Sequence, residues 1–151
     1  IIQMVEDKDK AWHAGPSYFR GRKNVNDFSI GIEMVATYKS NFTEKQYKSC
    51  AYICSILIED YNIPLCNIVG HENVSGDQAV KLNACKEWER KFEPGKNWDW
   101  QKFHLYLSER IGRSIVDDED EDEKDEKYLY EPDQFMQSGK NVSIFSRLRK
   151  N

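Results

Sequence analysis

The 151-residue sequence contains no apolar run near the roughly 20 residues that a bilayer-spanning helix requires, which excludes a helical membrane span within it. Cysteine is scarce and unpatterned. Cys50, Cys54, Cys66 and Cys85 form neither a Cys-x-x-Cys pair nor the dense framework of a disulfide-stapled miniature domain, so they predict reduced thiols in a reducing compartment. A surplus of positive charge is missing too: the formal net charge is −4, and residues 1–116 carry 16 basic against 15 acidic side chains. Bulk charge therefore gives no case for nucleic acid or for an acidic partner. There is no internal repeat. The opening Ile1-Ile2-Gln3-Met4-Val5 has neither an initiator methionine nor a signal pattern, and predicts a chain that begins inside a longer precursor.

Acid is abundant in one place only. Residues 117–127 hold nine acidic side chains and two lysines, too polar to fold alone, and predict a solvated linker. The expected organisation is a folded domain over 1–114, an acidic linker over 115–127 and a C-terminal tail over 128–151. That tail mixes Tyr128, Phe135, Ile144, Phe145 and Leu148 with basic residues. It reads as a mobile segment, with docking on a partner or on its own domain as the alternative.

Within 1–114 the periodicities are readable. Residues 1–5 look like a short strand, and the Gly- and Pro-bearing stretch from Trp12 to Asn24 like an ordered connection. From Phe28 to Val35, Phe28, Ile30, Ile32 and Met34 alternate with Ser29, Gly31 and Glu33, the pattern of a strand with one buried face. Thr43 with Gln46 forms a capping box. A stripe of Tyr47, Cys50, Cys54, Leu57, Ile58 and Tyr61 then predicts a helix to about Tyr61, which Pro64 closes. Residues 66–70 read as a short buried strand, and Phe103, Leu107 and Ile111 mark a second helix.

Three features can carry chemistry. His71 follows a buried strand, where ligands meet sheet ends, although a hydrogen-bonded structural histidine fits equally. Glu33 lies mid-strand beside small residues that leave room above the sheet; a salt bridge or solvent exposure is its structural alternative. The Pro94-Gly95 turn fixes the carboxylate of Glu93 behind Lys91.

Taken together and in order, Ala11-Trp12-His13-Ala14-Gly15, Gly21-Arg22, Asn26-Asp27-Phe28-Ser29-Ile30-Gly31-Ile32-Glu33, Gly70-His71, and Lys91-Phe92-Glu93-Pro94-Gly95 followed by Trp98-Asp99-Trp100 resemble the type 2 N-acetylmuramoyl-L-alanine amidases, and most the 1,6-anhydro branch. The resemblance implies an α/β fold with a mixed central β-sheet flanked by helices, incomplete at its N-terminus. It implies a bacterial zinc enzyme of cell-wall turnover and muropeptide recycling that cleaves the amide between N-acetylmuramic acid and L-alanine. The bacterial cytoplasm is the favoured location, with the cell envelope as the alternative.

By resemblance, His71 is the second zinc histidine and Glu93 stands where the family's Lys-x-Asp-Pro-Gly motif has its ligand. Glu33 activates water, and Lys91 stabilises the oxyanion. Trp12, His13, Arg22, Lys23 and Asn26 are expected to contact the muropeptide. Three departures stand out. The family's first zinc histidine lies in a strand upstream of Ile1, which makes that missing segment an expected partner. Glu93 is one methylene longer than aspartate. The connection from His71 to Glu93 is long and contains Asp77 and Cys85, the latter a competing third ligand. Two other functions remain alongside: a peptidoglycan-binding module without catalysis, and a regulatory protein acting through its charged tail.

Overall fold

The computed structural model describes residues 1–37, 40–112 and 141–149, with Thr37 and 141–149 described by backbone alone. In chain order the elements are β1 (Tyr18–Phe19), β2 (Arg22–Lys23), β3 (Ser29–Thr37), α1 (Glu44–Tyr61), β4 (Ile68–Gly70), α2 (His71–Ser75), α3 (Asp77–Lys81), α4 (Trp100–Ile111) and β5 (Asn141–Arg149). Helices and strands are mixed, as an α/β fold requires.

Helix α1 begins where the capping box predicts. The Gln46 N–H donates to Thr43 Oγ1 and the Thr43 N–H donates to Gln46 Oε1, which satisfies two otherwise orphaned donors. The helix ends on Asn62 in the left-handed region, at φ 52°. Its buried stripe of Tyr47, Cys50, Cys54, Leu57 and Ile58 meets Ile32, Met34 and Ala36 of β3 together with Phe103 and Leu107 of α4. Aromatic rings fix the contact between the helices: Tyr47 and Phe42 lie 4.6 and 5.0 Å from Trp98, centroid to centroid. The Asp99 N–H donates to Tyr47 Oη at 2.9 Å, and the Asp99 carboxylate caps α4 at Lys102. Ile32, Met34 and Ala36 on this side are buried and Ile30 is partly so, which leaves Gly31 and Glu33 on the other face.

The three-stranded sheet has the order β3-β5-β4 and is parallel throughout. Ser29 pairs with Asn141 and Thr37 with Arg149, while Ile68 pairs with Val142 and Gly70 with Ile144. A separate antiparallel pair, β1-β2, turns at Arg20 and Gly21, both at positive φ. A second small core of Ala14, Val25, Phe28 and Val74 joins the loop before β1 to α2.

Two expectations need correction. Residues 1–5 form no strand; Ile1, Ile2 and Met4 stay exposed because no described strand pairs with them. The stretch from Trp12 to Asn24 is more than a connection, since it holds the β1-β2 hairpin. The predicted linker 115–127 and domain boundary lie outside the described residues. Within the predicted tail, the described residues 141–149 form β5. All four cysteines are free thiols. No described helix is long and apolar enough to cross a membrane.

Phe103 is fully buried at the α1–α4 seam. Phe103→Ala should cost about 3–5 kcal/mol in urea denaturation, whereas Thr43→Ala, which removes only the cap, should cost about 1 kcal/mol. Equal losses would contradict the assignment of the core to this seam.

Candidate functional site

His71 is the first residue of α2 and is buried directly beyond β4. Its Nε2 lies 3.0 Å from the Ala14 carbonyl. A carbonyl can only accept, so Nε2 carries the proton and Nδ1 presents its lone pair. That nitrogen is 3.7 Å from Glu93 Oε2. Burial lowers the pKa of His71, and Lys91 and His13 push it the same way; the Ala14 carbonyl and Glu93 oppose the shift without reversing it. The ring is therefore held neutral, the form that binds a metal.

Glu93 is delivered by a close packing of two backbones. A methyl group at Gly70 would meet Pro94 Cδ at 2.7 Å, so only glycine lets the Glu93-Pro94 turn lie against the end of β4. The Glu93-Pro94 peptide is cis. The Glu72 N–H donates to the Glu93 carbonyl at 2.9 Å, the Lys91 N–H donates to the Ser75 carbonyl at 3.0 Å, and the Phe92 N–H reaches Glu93 Oε2 at 3.1 Å. Two donors bound to one tetrahedral zinc at about 2.0–2.1 Å each stand roughly 3.3 Å apart. The His71–Glu93 separation of 3.7 Å is close to that value, so these two residues fit as partners around one ion. Among the described residues no group of three or more histidine, cysteine or acidic side chains is gathered to hold a metal.

The residues between them are otherwise engaged. Cys85 is buried with its thiol directed at the Ser75 carbonyl, 3.6 Å away, and burial, helped by Glu89 and Glu87, pushes the thiol up and disfavours thiolate. Asp77 pairs with Arg90 at 2.8 Å.

The other predicted residues divide between the β3 face and the loops. Glu33 is exposed on the face shared with Gly31. A methyl group at Gly31 would fall 2.6 Å from the His13 ring, so the His13 imidazole lies directly over this face. His13 Nε2 is 3.2 Å from both the carbonyl and the hydroxyl of Ser29, and burial lowers the pKa of the ring. Asn26 is buried beneath the loop, where its Oδ1 accepts from the His13 and Ala14 N–H groups at 3.0 and 2.7 Å. It thus sets the height of the Ala14 carbonyl that fixes His71. Trp12 is 83% exposed with the Lys10 ammonium 4.3 Å over its ring. Arg22 stacks on Phe28 at 3.8 Å, and Lys23 donates to the Asn83 carbonyl at 3.4 Å. Lys91 is half-buried and lines a cleft of about 500 Å³ between the β1-β2 turn and α2, with Arg20, Glu72, Asp77 and Phe92.

Two contributors escaped the sequence reading. Ser75 Oγ lies 2.8 Å from both the Ala14 and Pro16 carbonyls and ties the loop to α2. Gly70 admits the Glu93 turn. Only the Gly70-His71 adjacency hinted at the second; nothing local marked the first.

Residues 1–96 match the family profile described as N-acetylmuramoyl-L-alanine amidase, Amidase_2. The chain is 35% identical over 116 residues to the 1,6-anhydro-N-acetylmuramyl-L-alanine amidase AmpD of Enterobacter cloacae, covering 77% of this chain and 56% of that protein. It is 38% identical over 108 residues to AmpD of Citrobacter freundii, covering 72% and 51%. With the N-acetylmuramoyl-L-alanine amidase AmiD of Escherichia coli it shares 29% over 128 residues, covering 78% and 46%. The chain spans about half the length of the curated relatives it matches. No solved structure matches it. The ordered motifs, the histidine beyond β4 and the carboxylate turn beside it have one common explanation: this chain belongs to the Amidase_2 family of N-acetylmuramoyl-L-alanine amidases.

Proposed function

We propose that this chain acts in the zinc-dependent hydrolysis of the bond between N-acetylmuramic acid, or its 1,6-anhydro form, and L-alanine in peptidoglycan fragments. The observation that carries the reading is the His71–Glu93 pair: a neutral imidazole with its tautomer fixed and a carboxylate 3.7 Å away. His71 and Glu93 would hold the ion. Zinc, when bound, acts as a Lewis acid that lowers the pKa of water and polarises a carbonyl. Glu33 removes a proton from the attacking water and returns one to the departing amine of L-alanine. The Lys91 ammonium stabilises negative charge developing on the amide oxygen. Trp12 and His13 wall the sugar or peptide, Arg22 and Lys23 are cations for a stem-peptide carboxylate, and Asn26 acts by holding the loop. The reaction belongs to muropeptide recycling in the bacterial cytoplasm, with which the free thiols agree.

A catalytic zinc site uses three protein ligands, and among the described residues His71 and Glu93 are the two assigned to it here. The third is expected from the strand that the family resemblance places upstream. The central sheet flanked by helices, the 1–114 domain and the separate acidic segment belong to the same reading.

Glu93→Gln should weaken zinc retention strongly against a chelator, while Cys85→Ser leaves it unchanged; the reverse result would move the ligand to Cys85. In active enzyme that includes the upstream strand, Glu33→Ala should keep zinc but lower turnover on a muramoyl-peptide by about 100-fold or more. An undiminished rate would remove Glu33 from proton transfer.

His71, which is buried, and the half-buried His13 also set a pH dependence. His13 and His71 both have lowered pKa values when folded. The unfolded chain therefore takes up protons near pH 6.5 that the folded chain refuses, so stability is complete above about pH 6.5 and falls as pH drops below it. Urea midpoints of the metal-free chain should decline between about pH 7 and pH 5.5, less steeply in His71→Gln. An identical slope in that variant would contradict the burial assigned to His71.

A further inference from the structure

Arg90 stands directly before Lys91 and takes no part in the chemistry proposed above. Its side chain is 31% exposed, whereas the two carboxylates that it meets, Asp77 and Glu87, are 72% and 63% exposed. The guanidinium donates through Nη1 to Asp77 at 2.8 Å and pairs through Nη2 with Glu87 at 3.0 Å. It also lies 4.7 Å from the centre of the Phe92 ring. Its Nε is turned into the protein, with no hydrogen-bond partner among the described residues. Asp77 opens α3, and Glu87 opens the 3-10 turn Glu87–Glu89, so one side chain gathers both parts of the connection between His71 and Glu93. An isolated surface ion pair contributes little. Here a single planar cation bridges two acids from different elements while it stacks on a ring, a geometry open to a guanidinium and closed to an ammonium.

The path from this fork to the site is one residue long. The Phe92 N–H donates to Glu93 Oε2 at 3.1 Å, and the same oxygen stands 3.7 Å from His71 Nδ1. A glutamate carboxylate is carried on several rotatable bonds, so a donor that fixes this oxygen spares the side chain freedom it would otherwise lose on binding. The backbone around Phe92 is tied to α2 by the Lys91 N–H to the Ser75 carbonyl and by the Glu72 N–H to the Glu93 carbonyl. On the side of α3 and the 3-10 turn, the Arg90 fork supplies the tie. We infer that Arg90 is a positioning residue for Glu93: bridging Asp77 and Glu87 and stacking on Phe92, it fixes the backbone N–H that orients the Glu93 oxygen facing His71. The inference rests on the zinc reading of His71 and Glu93 and adds what holds the carboxylate ready.

The test is the zinc affinity of the whole 151-residue chain, measured by competition with a chromophoric chelator, together with hydrogen exchange of the Phe92 amide in the metal-free chain. Arg90→Met and Arg90→Lys should each weaken zinc binding about tenfold, the lower end of the loss expected for a residue that supports a ligand. Charge alone should not rescue the site. Exchange at the Phe92 amide should quicken in both variants, while the Leu57 amide in α1 keeps its rate. Adding Arg90→Met to Glu93→Gln should leave the remaining zinc affinity unchanged, because the effect passes through the carboxylate; a general loosening of the fold would weaken binding in both backgrounds. Should Arg90→Met unfold the chain by circular dichroism, Asp77→Asn combined with Glu87→Gln removes the fork's partners and should reproduce the loss. Full zinc affinity in Arg90→Lys, an equal loss in the Glu93→Gln background, or an unaltered Phe92 amide would overturn the inference. If Glu93→Gln weakens zinc binding strongly while the Arg90 variants bind as the parent does, the positioning role alone falls. If Glu93→Gln and His71→Ala both leave zinc binding untouched, the zinc reading falls and takes the positioning role with it.

Discussion

The hydrogen bond from His71 Nε2 to the Ala14 carbonyl governs the chemistry available at this site. It assigns the proton to one ring nitrogen and leaves the other its lone pair, and it couples the end of β4 to a loop 57 residues earlier in the chain. The loop is itself held from below by Asn26 and from the side by Ser75, so the carbonyl that selects the tautomer is positioned by two residues from different parts of the chain. Backbone carbonyls in this role orient metal-binding histidines and raise their basicity. The same loop lays His13 over β3, which only a glycine at position 31 allows. Asn26 thus belongs to the support beneath the site.

The turn that carries Glu93 is held closely by its neighbours. The Pro94 ring lies against Gly70 so closely that no side chain fits between them, and the Glu93 carbonyl is tied to the Glu72 N–H. These contacts position the turn, and the Phe92 N–H steadies the carboxylate. Cys85, by contrast, is directed at the Ser75 carbonyl in surroundings that disfavour the charge a thiolate ligand needs.

Local patterns were legible where local forces decide. The Thr43–Gln46 cap and the stripe through Cys50, Cys54 and Leu57 placed α1 within a residue of its observed ends. Alternation in β3 correctly put Glu33 on the face opposite Ile32 and Met34. What was not legible depends on distant partners. β5 pairs with residues more than 70 positions away, and its polar composition hid its place in the middle of a sheet. Residues 1–5 have a strand's pattern but no described strand beside them. The two short helices α2 and α3 lie in a stretch whose mixed signals give no period, because five residues are too few to show one. His71 and Glu93 were found through motifs; their proximity emerged only when the Gly70–Pro94 contact was seen.

Extended X-ray absorption at the zinc edge, on the chain loaded with one equivalent of metal at protein concentrations that keep it bound, addresses the His71–Glu93 pair directly. The expected spectrum has only nitrogen and oxygen neighbours at about 2.0–2.1 Å, with the multiple scattering of a single imidazole, and loses that imidazole signature in His71→Gln. A sulfur shell at about 2.3 Å, or a spectrum unchanged by His71→Gln, would contradict zinc binding by this pair.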